Sequence, residues 1–297
     1  MRLAALCVGG LGFACARPPP SSRFPTADDA LARMRATYAC SRGVVGESKV
    51  DYFRERSRVR GDLLYTAMLP EHVRFDVVSP FGAILSTLTS NGREFALYDP
   101  PHRDFLRGPA NTCNLARFTQ VPIPPFALVE LLRGEAPVLV HEPSGARIDW
   151  GSGHYVVRVS GKYRAEQEIH LEPRPDDWSR PWTEQRVRVL EVRVEQAGYE
   201  LYQVELAGHA AVRRAAPRVD PDGLGPDIPP SGPQCGAEVP MRLRMRVPDT
   251  DRDLLLQNRE IYHNPPIVSG TFEQTPPKGV RSRYSPCPAE VSHARPE

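Results

Sequence analysis

The pattern of hydrophobic positions begins with a helical period near the N-terminus of the chain. Thr26 is followed three residues later by Asp29, an arrangement that caps the first turn of a helix. Apolar residues then recur at helical spacing and define one face: Ala27, Ala30, Leu31, Met34 and Tyr38. The sequence therefore predicts an amphipathic helix whose apolar face must pack on another element.

From about residue 44 the period changes to two, which is typical of half-buried β-strands. Val73, Phe75 and Val77 alternate with polar residues, and Ser90-Asn91-Gly92 is a hairpin signal. The connections are too short for parallel crossovers, so we expect sequential antiparallel strands. The predicted strands are 44–60, 62–69, 73–77, 84–89, 94–98, 102–106, 138–141, 146–150, 154–160, 164–171, 185–195, 200–206, 241–247, 254–262 and 268–272.

A helical interlude interrupts the strands between residues 108 and 134. Residues 111–118 form a candidate short helix, and Pro124-Pro125 and Gly134 bracket a second helix over 126–133. The predicted fold class is therefore α+β and mostly antiparallel β. We expect a strongly curved sheet, or incomplete β-barrel, closed by short helices around an apolar cavity. Such a cavity suits acyl chains.

The first fifteen residues have the pattern of an export signal. Arg2 is the only charged residue before Cys15, and residues 3–14 form an apolar run that is too short to span a bilayer. This segment resembles a bacterial lipoprotein signal, in which the cysteine after the cleavage site is lipidated. We therefore predict a lipid on Cys15. Plain signal cleavage and a buried N-terminus are the alternatives.

Proline marks the boundaries of the domain organisation. The chain has 32 prolines in 297 residues, which disfavours a mostly helical protein because proline breaks helix interiors. We predict a signal peptide over 1–15, a tether over 16–25, a single domain over 26–280 and a loose tail over 281–297. Within the domain, the proline-rich segment at about 208–240 is interpreted as an insertion.

Four cysteines remain outside the signal, an even number that fits an oxidising compartment. We expect disulfides Cys40–Cys113 and Cys235–Cys287, one of three connectivities that four cysteines allow. None of them lies in a CxxC pair and no histidine pair has zinc-ligand spacing, so neither a metal site nor a cofactor is predicted.

The charge balance and the absence of catalytic motifs narrow the function. A net charge of +2, from 38 basic and 36 acidic residues, argues against an electrostatic nucleic-acid binder. The sequence has no GxSxG, P-loop or HExxH motif, and its histidines stand singly in or beside strands. We predict no catalytic residue and no enzymatic activity.

Residues 69–137 carry a resemblance to a known family. The stretches concerned are Pro70, 74–82, 90–99, 121–126 and 131–134. Their order resembles the LolA/LolB lipoprotein-localisation family, and is closer to the outer-membrane receptor LolB. The similarity extends over about 26–207 and 241–280. It implies an outer-membrane lipoprotein on the periplasmic face that binds lipid or lipoprotein acyl chains, receives lipoproteins from a periplasmic carrier and inserts them.

The resemblance also gives site residues. Phe81, between Pro80 and Gly82, matches the protruding membrane-insertion turn of the receptor; its alternative is a turn residue folded back onto the core. From the strand pattern, the candidate cavity lining on the concave face is Val73, Phe75, Val77, Leu85, Phe95 and Leu97, with the reverse register as the alternative. The candidate lid is Phe126, Leu128, Leu131 and Leu132. An envelope scaffold or sensing protein that keeps the fold without transport is the alternative function. A cavity filled by aromatic side chains would favour it.

Overall fold

The computed structural model describes residues 17–54, 57–248 and 252–287. The predicted signal peptide and Cys15 lie outside this part of the chain. The helices are α1 (Ala27–Tyr38), α2 (Thr112–Thr119) and α3 (Pro125–Arg133). The strands are β1 (Gly43–Arg54), β2 (Ser57–Met68), β3 (His72–Val78), β4 (Ile84–Asn91), β5 (Glu94–Asp99), β6 (Asp104–Pro109), β7 (Ala146–Gly151), β8 (His154–Ser160), β9 (Ala165–Pro173), β10 (Val187–Gln196), β11 (Tyr199–Ala207), β12 (Ala210–Ala211), β13 (Glu238–Val239), β14 (Arg242–Val247), β15 (Arg252–His263) and β16 (Arg281–Tyr284).

The predicted N-terminal helix is confirmed. The hydroxyl of Thr26 accepts a hydrogen bond from the backbone N–H of Asp29 at 3.1 Å and caps the first turn of α1. The predicted apolar face, which includes Leu31 and Met34, is fully buried. The helix packs against β7, β8 and β10 on the inner face of the sheet.

Fourteen strands form one large curved sheet, in the order β16-β6-β5-β4-β3-β2-β1-β15-β14-β11-β10-β9-β8-β7. Neighbouring strands are antiparallel except β16, which pairs with β6 in parallel. The outermost strands of this order, β7 and β16, leave the sheet open within the described residues. The predicted curved antiparallel sheet is therefore confirmed, whereas closure into a barrel is not.

Three predicted strands differ from the structure. The segment 44–60 is a hairpin rather than one strand, because β1 ends at Arg54 opposite Ser57 of β2. Residues 54–57 include no glycine, proline or asparagine, so the local sequence carries no signal that separates the two strands. Residues 138–141 lie outside the strands, because the side chain of Gln167 takes hydrogen bonds of the backbone there. It accepts from the N–H of Leu139 at 3.0 Å and donates to the carbonyl of Pro137 at 2.6 Å. Residues 268–272 form turns, with the N–H of Thr271 donating to the carbonyl of Val268.

The inner face of the sheet carries the core, and the outer face is largely polar. Cross-strand ion pairs cover the outer face, for example Arg158 with Glu168 at 2.9 Å. Exposed pairs of this kind contribute little stability. They do show that the outer face of these strands is solvated, so α1 and α3 pack against the opposite, inner face.

A C-terminal segment, residues 264–280, crosses the outer face of β3, β4 and β5, and we call it the outer strap. The amide nitrogen of Gln274 lies 3.1 Å from the hydroxyl of Thr89 and 3.1 Å from the carbonyl oxygen of Ala96. Phe105, on the outer face of β6, is 1% exposed. Beyond the strap, residues 281–284, part of the segment expected to be a loose tail, form β16.

The disulfides connect different cysteines from those expected. Cys40 pairs with Cys235 and Cys113 pairs with Cys287, so the predicted connectivity is wrong. The reason is topological. The 208–240 segment returns to the end of α1, and the C-terminal segment returns to α2. The local sequence carries no signal of either path. The expectation that the four cysteines form disulfides is confirmed.

Candidate functional site

The turn between β3 and β4 projects a phenylalanine into solvent. The N–H of Gly82 donates to the carbonyl of Ser79 at 2.9 Å, and Gly82 has a φ of +80°, which favours glycine. Phe81 is 97% exposed, so it does not fold back onto the core. Ile84 and Leu85 beside it are 47% and 42% exposed. A contiguous apolar tip of this kind on a folded domain is typical of a binding or membrane-contacting surface.

Most of the predicted cavity and lid residues meet inside the molecule. Six of them belong to one fully buried core between the sheet and the helices: Val73, Phe75, Phe95, Leu128, Leu131 and Leu132. Val77 and Leu97 are half-buried against that core. The other two lie elsewhere: Leu85 is exposed near the Phe81 turn, and Phe126 is 41% exposed at the start of α3.

The interior is filled rather than hollow. The ring of Phe118 from α2 stacks on Phe75, with centroids 5.5 Å apart and ring planes 4° from parallel. Two surface pockets in the described part of the chain lie outside this space. One, of about 360 Å³, is lined by Phe53, Arg244, Arg246, Val247, Pro248, Arg252 and Asp253. The other, of about 350 Å³, is lined by 210–213, Met241 and 259–262. Aromatic packing therefore occupies the expected cavity where α2 meets the sheet.

The interior is nevertheless less well covered at one set of strand ends. We call the half-buried, inner-face side chains there the apolar mouth: Val50, Tyr52, Val77, Leu97, Leu106 and Phe118. These residues lie towards the strand ends that carry the Phe81 turn, since β3 ends at Val78 and β4 begins at Ile84. Near the opposite strand ends, the core residues Val44 and Phe95 are at most 1% exposed.

Helix α2 reaches over this mouth. The residue that caps its C-terminus, Gln120, adopts a left-handed conformation, and its side-chain oxygen accepts a hydrogen bond from the hydroxyl of Tyr52 at 3.4 Å. The guanidinium of Arg252 donates to the carbonyl of Gln120 at 3.3 Å. Phe118 was not among the predicted site residues. Its spacing of three from Leu115 in the predicted 111–118 helix is the signal that could have indicated an inward-facing position.

A buried charged cluster holds the end of α3 next to this core. Arg133 is 1% exposed, donates to the carbonyl of Tyr38 at 2.9 Å and pairs with Glu135 at 3.0 Å. Burial raises the pKa of Glu135. Burial, with a smaller contribution from the negative charge of Glu135, raises the pKa of Glu130 to about 7. Glu130 therefore titrates near neutral pH.

We expect Glu130 to make folding stability depend on pH. A carboxyl whose pKa is higher in the folded than in the unfolded chain binds its proton more tightly when folded, so stability falls as pH rises from ~4.5 through 7. Urea unfolding of the wild type and of Glu130→Gln at pH 5 and pH 8 measures this. The wild type should lose more stability than the variant, and parallel losses would contradict the assignment.

Neither metal ligation nor a spanning helix contributes to this site. In residues 17–54, 57–248 and 252–287, no three His, Cys, Asp or Glu side chains are arranged to hold a metal ion. In the same described ranges, no helix has the length and apolar character needed to cross a membrane. What the arrangement offers chemically is apolar area at Phe81 and the mouth.

Comparisons with known proteins find similarity in fold. No family model matches the chain, and no curated protein matches it by sequence. A DUF1329 family protein from Desulfovibrio piger superimposes with a TM-score of 0.51 at 11% identity, over 83% of this chain and 95% of that one. A LolA superfamily protein from Nitrosomonas europaea superimposes with a TM-score of 0.52 at 11% identity, over 84% of this chain and 99% of that one. The chain therefore has a LolA-like fold, a curved antiparallel sheet with helices on its inner face.

Proposed function

We propose that this protein is a lipid-anchored outer-membrane protein that binds lipid or lipoprotein acyl chains through the Phe81 turn and the apolar mouth. In this role it receives acyl chains from a periplasmic carrier and inserts lipoproteins into the membrane. The observation that carries the proposal is the position of Phe81. A side chain exposed at 97% projects from the same strand ends at which the interior is half-covered.

The chemistry of the mouth suits an acyl chain. Its side chains are aliphatic or aromatic, and burying a methylene group against such surface contributes about 0.8 kcal/mol. Binding of this kind needs apolar area and no reacting group, so the proposed activity is binding rather than catalysis.

Membrane attachment would come from the N-terminal segment. Lipidation of Cys15, which lies outside the described residues, would place an anchor two residues before Arg17. Arg17 lies on the molecule, with its guanidinium 3.5 Å from the centre of the Trp178 ring. Stable attachment to a membrane takes more than one acyl chain or a second contact with the bilayer.

An envelope scaffold or sensing role is the second candidate, and one observation favours it. The stacked rings of Phe75 and Phe118 occupy the space that an acyl chain would need. A protein that had lost transport would keep such packing permanently. The two candidates differ in whether this stack opens.

We expect Phe81→Asp to weaken acyl binding about tenfold or more, because a charge at the tip removes a contact worth roughly 1.5–3 kcal/mol. The measurement is titration of the full-length protein with a fluorescent fatty-acyl probe, preceded by lipid extraction and mass spectrometry of the purified protein.

Leu224→Asp is the matched control, since Leu224 is 91% exposed in the 208–240 segment, which leaves and rejoins the sheet at the opposite strand ends. It should bind the probe like the wild type. A protein that purifies without lipid and takes up no probe would refute the acyl-binding proposal and favour the scaffold role.

A further inference from the structure

We infer that α2 is the movable element that admits an acyl chain to the interior, and that the C-terminal segment 281–287, which we call the latch, holds it closed. This inference deepens the proposed function, on which it rests, by naming the entry site. The entry lies where the ring of Phe118 covers Phe75. The expected route leads from the Phe81 turn through the apolar mouth to this stack.

Helix α2 buries fewer of its residues than α3 does. Seven of the nine residues of α3 are buried, including both of its consecutive leucines. Only three of the eight residues of α2 are buried: Asn114, Leu115 and Thr119. Elements with little buried surface open at lower free energy than core elements. Movement of α2 would uncover Phe75 while leaving the α3 side of the core intact.

The latch begins as a strand on the edge of the sheet. Strand β16 pairs in parallel with β6, and the N–H of Ser285 donates to the carbonyl of Arg107 at 2.7 Å. Gly108 permits this approach, because a Cβ at that position would overlap the backbone carbonyl oxygen of Ser285. Residues 281–285 of the latch are therefore fixed to the edge of the sheet.

The latch is joined to α2 by buried hydrogen bonds and one disulfide. The side-chain amide of Asn114, which is 0% exposed, donates to the carbonyl of Ser285 at 3.3 Å. The hydroxyl of Ser285 donates to the amide oxygen of Asn114 at 2.9 Å. One residue before Asn114, Cys113 forms a disulfide with Cys287. These contacts join α2 to β6 independently of the Phe118 stack.

This arrangement accounts for a filled interior in a protein with an exposed apolar tip. With the latch in place, Phe118 stays on Phe75 and the interior is closed. An incoming acyl chain gains the apolar surface of the mouth and replaces the Phe118 ring on Phe75. Loosening the latch lowers the cost of that replacement, so it should speed uptake.

The test compares two full-length double variants, each lacking one disulfide. Cys113→Ser with Cys287→Ser removes the bond in the latch, and Cys40→Ser with Cys235→Ser removes the bond between α1 and the 208–240 segment. The sequence separations are 174 and 195 residues, so the loop-entropy losses of stability are nearly equal. We expect hydrogen exchange in 112–119 and uptake of a fluorescent fatty-acyl probe to be about tenfold faster in the latch variant alone.

Several outcomes would overturn the inference. Equal exchange or equal uptake in the two double variants would show that the latch does not control α2. A single variant, Phe118→Ala, keeps both disulfides and should also speed uptake, and unchanged uptake would remove Phe118 from the entry site. If the wild type takes up the probe and the latch variant takes it up no faster, this inference alone is overturned. If no variant takes up the probe, the proposed function is overturned together with this inference.

Discussion

Replacing Phe75 with alanine is expected to lower the free energy of unfolding by about 3–5 kcal/mol and, at the same time, to increase the binding of small apolar probes. Phe75 is 3% exposed and contacts both the ring of Phe118 and that of Tyr65. Its removal leaves a cavity at the predicted entry site, and apolar cavities in proteins bind small apolar molecules. Urea unfolding and titration with a small fluorescent apolar probe measure the two effects.

Phe105→Ala is the matched control for this prediction. Phe105 is 1% exposed but lies on the outer face, away from the core that contains Phe75. It should be destabilised to a similar extent, and a probe that enters the cavity left by Phe105 should stay bound when a fatty acid is added, whereas the probe at Phe75 should be displaced. If a fatty acid displaced both probes equally or neither of them, probe binding would not report a site between the sheet and α2.

The second large effect is expected at Arg133. Replacing it with alanine should lower the free energy of unfolding by about 3–5 kcal/mol at pH 7, because the variant leaves Glu135 buried without its partner. The carbonyl of Tyr38 also loses the donor that Arg133 supplies. Urea unfolding at pH 7 measures the loss.

The pH dependence of this variant separates loss of charge pairing from loss of packing. Burial already raises the pKa of Glu135, and loss of Arg133 raises it further, so the carboxyl takes up its proton at a higher pH than in the wild type and part of the stability should return as the pH is lowered. The double variant Arg133→Met with Glu135→Gln should be more stable at pH 7 than Arg133→Ala. An Arg133→Ala variant as stable as the wild type at pH 7 would contradict the assigned role.

Local patterns were sufficient to predict the elements that form the site. The alternation at Val73, Phe75 and Val77 gives both β3 and its inward face, because one face of an antiparallel strand is buried and the other is wet. The proline and glycine that bracket 126–133 give α3 with its ends within one residue. The resemblance to the lipoprotein-localisation family indicated the fold that the structural comparisons show.

What the sequence could not reveal depends on contacts between distant segments. The outer strap, the latch and both disulfides join residues far apart in the chain, and no local period encodes such pairing. The filled interior has the same origin. Whether Phe75 lines a space or meets another ring is decided by α2, whose Phe118 lies 43 positions further along the sequence. Periodicity identifies an inward face but not what fills it.

The central claim is that acyl chains enter through the Phe81 turn and the apolar mouth. Photo-crosslinking with a fatty acid that carries a diazirine in its chain, followed by peptide mass spectrometry of the full-length protein, tests it most directly. The account predicts adducts in peptides that contain Phe81, Val77 and Phe118, and weaker labelling in Phe81→Asp. Absence of adducts, or adducts confined to the opposite strand ends and the 208–240 segment, would contradict it.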